Sequence, residues 1–157
     1  MGISGTDWGC QNGLLISLDV FRELYKPYYQ KVCDWIHQNT EWKVWMHSCG
    51  SVTKILPDLI EMGIDVINPV QCSAKDMDAK ELKAKFGDDI VFWGGGCNQQ
   101  KTLVTGTPEE CYEETKHNAE ILGKGGGLIG CNVHNLQYGV PIENYLAEMQ
   151  AFKDVRF

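Results

Sequence analysis

Apolar positions in this chain fall into two rhythms. Short unbroken apolar runs, Lys43-Val44-Trp45-Met46, Asp65-Val66-Ile67-Asn68-Pro69, Ile90-Val91-Phe92-Trp93 and Leu128-Ile129-Gly130-Cys131, read as strands buried on both faces. Between them lie stretches with apolar residues at helical spacing, as in Val52, Ile55, Leu56, Leu59 and Ile60, which predict a helix over residues 51–62 closed by Gly63. A longer helical pattern runs from an N-cap at Ser17 to about residue 38, with a kink expected at Pro27. Further helices are predicted over residues 78–86, from Thr107 to about Gly123, and from Pro141 through Phe152. Thr107-Pro108-Glu109-Glu110 has the form of a capping box with proline in the first turn.

Unalternating strands that each precede a helix predict an α/β fold with a parallel sheet covered by helices, either a doubly wound sheet or a barrel. No linker or composition shift divides the chain, so residues 1–157 read as one domain. A complete (β/α)8 barrel takes about 250 residues, so a barrel reading makes this chain only part of one. Open strand edges would then need a second polypeptide or self-association.

Composition narrows the function. The formal net charge is −7, with signs interspersed, which gives neither a nucleic-acid footprint nor a polybasic membrane patch. The start of the chain lacks the charged and apolar regions of a signal peptide, and no run spans a bilayer, so the expected compartment is the cytoplasm. The seven cysteines are accordingly expected to be thiols. Cys33 and Cys111 lie in helical patterns and read as packing residues, while His37 and His117 read as solvated.

Chemistry concentrates in Met46-His47-Ser48-Cys49-Gly50, directly after a strand. Two residues apart on extended chain, His47 and Cys49 face one side, and imidazole with thiolate favours zinc; the bland alternative is that both only cap the strand. Polar and ligand-type residues recur at other strand ends: Asp7, Asn68 and Gln71 as candidate catalytic groups, and Cys97, Cys131 and His134 as further metal donors. All would converge on one face of a parallel α/β protein. Both triple-glycine runs fit tight turns or close backbone packing better than a phosphate loop.

Several of these stretches together carry a resemblance. His47-Ser48-Cys49-Gly50-Ser51, the run from Leu56 through Gln71, Phe92-Trp93-Gly94-Gly95-Gly96, Gly106-Thr107-Pro108-Glu109-Glu110, Val133-His134-Asn135-Leu136-Gln137 and Pro141-Ile142-Glu143-Asn144 resemble, in order, the C-terminal half of uroporphyrinogen decarboxylase-like proteins. Within them the chain looks closest to the corrinoid-dependent methyltransferases. That resemblance implies a partial (β/α)8 barrel, zinc held partly by His47 and Cys49, a corrinoid carried on a partner protein, and a small-molecule methyl donor or acceptor. It also implies a third ligand near the last strand, for which Cys97, Cys131 and His134 compete. The decarboxylases instead use no metal and anchor a tetrapyrrole through an aspartate in a region with no counterpart here; an inactive barrel fragment is the third reading.

Overall fold

A computed structural model describes residues 1–156. Four strands form one parallel sheet in the order β3 (Trp45–His47), β4 (Val66–Val70), β5 (Val91–Gly95) and β6 (Leu128–Cys131). Residues 1–4 extend the sheet beyond β3: the Trp45 amide donates to the Met1 carbonyl, the Ile3 amide to the Trp45 carbonyl and the His47 amide to the Ser4 carbonyl. Helices α3 (Leu56–Glu61), α4 (Ala79–Phe86), α6 (Pro108–Leu122) and α7 (Ile142–Asp154) alternate with the strands, and a short α5 (Thr102–Thr105) precedes α6. The fold is a partial (β/α)8 barrel, one of the two α/β arrangements that the strand–helix rhythm allows and the one that the family resemblance implies.

Alternation along the strands sorts the two faces. Met46, Ile67 and Phe92 are buried against the helices with Ile55, Leu59, Leu82 and Leu122. Trp45, His47 and Trp93 occupy intervening positions and stay partly exposed on the other, concave side. There Trp45 meets Trp93 edge to face, with ring centroids 5.2 Å apart.

Helix starts follow local chemistry. The Thr107 hydroxyl accepts from the Glu110 amide at 3.2 Å and the Glu110 carboxylate accepts from the Thr107 amide at 2.8 Å, completing the expected capping box. Gly63 stands at φ +91° just past α3, a conformation that a side chain disfavours.

Three expectations need correction. The first long helix is two, α1 (Leu18–Leu24) and α2 (Lys26–Asn39), broken at Tyr25. Pro27 sits in the first turn of α2, where its missing N–H costs nothing, so it starts a helix rather than kinking one. The helix expected over residues 51–62 begins only at Leu56, because Val52 and Thr53 are drawn into hydrogen bonds with Met77 and Asp76. His37 is not simply solvated: its Nε2 lies 2.8 Å from Asp65 Oδ2. The sequence reading also missed a small hairpin, β1 (Gly9–Cys10) with β2 (Gly13–Leu14).

An ion cluster ties α1 and α2 to α3. Asp58, only 3 % exposed, accepts two hydrogen bonds from Arg22 Nε and one from Arg22 Nη2, and one from Lys26 Nζ at 2.8 Å. Burial alone would raise the Asp58 carboxyl, but the Arg22 and Lys26 hydrogen bonds outweigh it and hold the group below the ordinary carboxylate range. Its contribution is therefore full above the unfolded-state value of about 4 and is lost as pH falls through the lower folded-state value. Replacing Asp58 with alanine should cost roughly 2 kcal/mol at neutral pH in denaturant unfolding and should flatten the acid limb of the stability profile.

Candidate metal centre

The β3 end and the chain ahead of the hairpin build the site together. Gly50 at φ +84° turns the backbone after Cys49 so closely onto the hairpin that an added Cβ would lie 2.6 Å from the Cys10 carbonyl oxygen. The Ser51 amide donates to that same carbonyl, and the buried Ser48 hydroxyl accepts from the Trp8 amide at 2.9 Å. Asp7, immediately before Trp8, is thereby held over the end of β3, where its Oδ1 accepts from the Cys49 amide at 2.8 Å.

The parallel register pairs His47 with Asn68 on the neighbouring strand. Asn68 Oδ1 lies 2.8 Å from His47 Nδ1. An amide oxygen can only accept, so Nδ1 carries the proton and Nε2 presents its lone pair. That lone pair lies 3.5 Å from Cys49 Sγ and 3.8 Å from Asp7 Oδ1. One donor atom from each of Asp7, His47 and Cys49 falls within 4.8 Å of the others. Nitrogen, sulfur and carboxylate oxygen are all zinc donors, and the Asn68 hydrogen bond is the outer contact that orients a ligating imidazole. The residues thus fit a zinc ion. Without metal, burial and then the neighbouring Asp7 carboxylate push the Cys49 thiol up to about 11.

Two cavities of about 500 Å³ and 530 Å³ open at this face. His47, Asn68, Trp93 and Cys131 line the first, Asp7, Cys49, Gln71 and Gln99 the second, and Val133 and His134 belong to both. Asp7, Asn68, Gln71, Cys131 and His134 line these cavities, with different roles. Asn68 orients His47, and Asp7 joins the donor cluster. Gln71 is a fastener: its Oε1 accepts from the Gly50 amide and its Nε2 donates to Gln11.

Cys131 and His134 face the same opening but lie outside the donor cluster. The Cys131 thiol points at the Asn132 carbonyl oxygen, 3.0 Å away. Cys97 is a correction. Gly94 at φ +147° and Gly95 at φ +79° swing the chain outward, and Cys97 is fully buried with Leu103 and Cys111 beneath α6 and α7. Its thiol faces Glu148, not His47. The aromatic wall contributed by Trp93 went unread in the sequence, although its place in a buried strand before Gly94 was its only signal.

The profile described as uroporphyrinogen decarboxylase (URO-D) matches residues 3–155. The chain belongs to this family. Among curated proteins it is similar to the methylated-thiol–coenzyme M methyltransferase of Methanosarcina mazei, 28% identical over 142 residues. That match covers 89% of this chain and 34% of the relative. Among solved structures it is similar to a methyltransferase from Methanosarcina mazei with a TM-score of 0.63 and 22% identity, covering 98% of this chain and 41% of that one. The chain therefore spans between a third and a half of the length of the relatives it matches. No helix among the described residues is long and apolar enough to cross a membrane.

The Gly50 turn gives the site a direct test. Gly50→Ala places a methyl against Cys10 backbone, which cannot step aside as a flexible side chain would, in a φ region alanine resists. The variant should lose more than about 1 kcal/mol of stability in denaturant unfolding. Gly125→Ala, also at positive φ but in open space, should lose less.

Proposed function

We propose that this chain forms the zinc-bearing wall of a methyltransferase in which a methyl group passes between a corrinoid on a partner protein and a small-molecule donor or acceptor. The observation that carries the reading is the cluster of Asp7, His47 and Cys49 donor atoms at the mouth of a cavity on the carboxyl ends of the strands. The methyltransferase names of its relatives support the same direction.

In this reading His47 Nε2 and Cys49 Sγ hold the ion, and Asp7 is the third donor. Zinc bound there would lower the pKa of a thiol or similar methyl acceptor, which reacts best as the anion. Asn68 keeps the His47 lone pair aimed at the site. Asp7 also fixes the Cys49 backbone, and Trp93 and Val133 line the cavity beside His47. In this reading the chain works in the cytoplasm, where its cysteines stay thiols.

Protein prepared without chelator should contain close to one zinc per chain by metal analysis. His47→Ala and Cys49→Ser should lose most of it and Asp7→Asn part of it, while Cys33→Ser and Cys111→Ser, buried away from the cavity, should keep it. Cys49 must give up its proton to bind, so affinity should fall as pH drops, with proton uptake as metal leaves. Correctly folded protein that stays metal-free when zinc is supplied would move a metal-independent decarboxylase-type reading ahead.

In this account the open edges of the sheet are covered by a further segment, on this polypeptide or another, or by a second copy. The outer edges of residues 1–4 and of β6 are unpaired among the described residues, and Ile129 on β6 is 44% exposed. Light scattering at micromolar concentration should find an assembly; a monodisperse monomer with cooperative unfolding contradicts that part of the proposal.

A further inference from the structure

A carboxyl group with no cation beside it is sealed between the last helix and the β5 loop. Glu148 on α7 is 0 % exposed. Its Oε1 accepts from the Cys97 amide at 3.2 Å, an N–H that Thr115 Oγ1 shares at 3.1 Å, and the Cys97 thiol lies 3.8 Å away. Its Oε2 has no hydrogen-bond partner among the described residues. The loop is pressed onto the carboxyl: a Cβ at Gly96 would lie 2.1 Å from Oε1, so only glycine fits there while Glu148 holds its place.

What the loop carries makes this contact consequential. Two residues beyond Cys97, the Gln99 side chain clamps the opposite rim of the cavity. Gln99 Oε1 accepts from the His134 amide at 2.7 Å and Gln99 Nε2 donates to the Asn135 carbonyl at 2.9 Å. Gln99, Gln100 and His134 all line the cavity that contains Asp7 and Cys49. Glu148 is therefore linked to His134 by its contact with Cys97, the short backbone stretch from Cys97 to Gln99, and the Gln99 hydrogen bond to the His134 amide.

We propose that Glu148 is a positioning residue whose buried carboxyl holds the loop after β5 in place and, through the Gln99 clamp, sets where His134 and residues 132–137 stand at the cavity mouth. The proposal goes beyond the metal reading and does not depend on what the cavity binds. Glu148 is also titratable in a setting that works against its charge. It is faced by Glu114 and Cys111 from α6, Cys97 from the loop and Cys131 from β6, and among the described residues by no lysine, arginine or histidine. Burial pushes its carboxyl up to about 7; the bonds from Cys97 oppose the shift and Glu114 adds to it. The neutral carboxyl suits the closed loop. The ionised form gains water at Oε2 only if the loop lifts, so the rim loosens as pH rises through about 7.

Hydrogen exchange by mass spectrometry on the full chain at pH 6 and pH 8, corrected for intrinsic rates, tests this. In the wild type, segments 96–101 and 132–137 should both lose about tenfold in protection at pH 8, the population factor for one pH unit beyond the titration point, while α2 stays protected. Glu148→Gln keeps shape and an acceptor oxygen but cannot ionise, and should show the same protection at both pH values. Glu148→Leu removes the acceptor and should expose both segments at either pH. Wild-type protection that does not change between pH 6 and 8, a pH response that survives in Glu148→Gln, or loosening confined to segment 96–101 would each overturn the proposal. The wild-type comparison stands alone if a variant fails to fold.

Discussion

The parallel pairing that places His47 opposite Asn68 is the constraint on which the site depends. Parallel strands deliver their carboxyl ends to one side of the sheet, and this register puts an amide acceptor beside Nδ1 rather than Nε2. One hydrogen bond thereby settles both the tautomer and the direction of the free lone pair. The same register leaves Met46 and Ile67 for the helices and Trp45 for the lumen. A slip of one residue would turn His47 into the core and expose Met46 to the cavity.

Around that pair the molecule assembles donors from distant parts of the chain. Asp7 is 40 residues from His47, and only the packing of Gly50 on the hairpin brings its carboxylate over Cys49. The site is in this sense a tertiary object with one local motif at its centre. Its far wall, formed by Trp93 and residues 131–136, is carried on β5 and β6, and the two walls meet where Gln99 grips the His134 backbone.

The strands and most helices were legible because their rhythms are local: apolar runs before glycine or proline, helical stripes, and a capping box at Thr107. What escaped is decided by contacts between distant segments. The two-residue strands at Gly9–Cys10 and Gly13–Leu14 have no alternation to read and are fixed by the loop that covers them. Pro27 breaks the helical stripe in sequence yet begins α2 in space, since a proline before a new helix and one that kinks an old helix leave the same trace. For the site, His47 and Cys49 were legible as donors at a strand end, whereas Asp7 was read as a catalytic group and joins the donors only through the fold. Cys97 misled because donor type and strand end were both right, while the positive φ angles of Gly94 and Gly95 sent it behind the sheet. Glu148 had no signal at all, since a glutamate on an amphipathic helix is ordinarily a solvated one.

The central claim is that one zinc ion is held by imidazole, thiolate and carboxylate at the end of β3. X-ray absorption at the zinc edge on metal-loaded protein reads the donors directly. The account predicts one sulfur at about 2.3 Å with nitrogen and oxygen donors at about 2.0–2.2 Å. The sulfur shell should disappear in Cys49→Ser. A shell with no sulfur, or one of several sulfurs that survives the loss of Cys49, would contradict it.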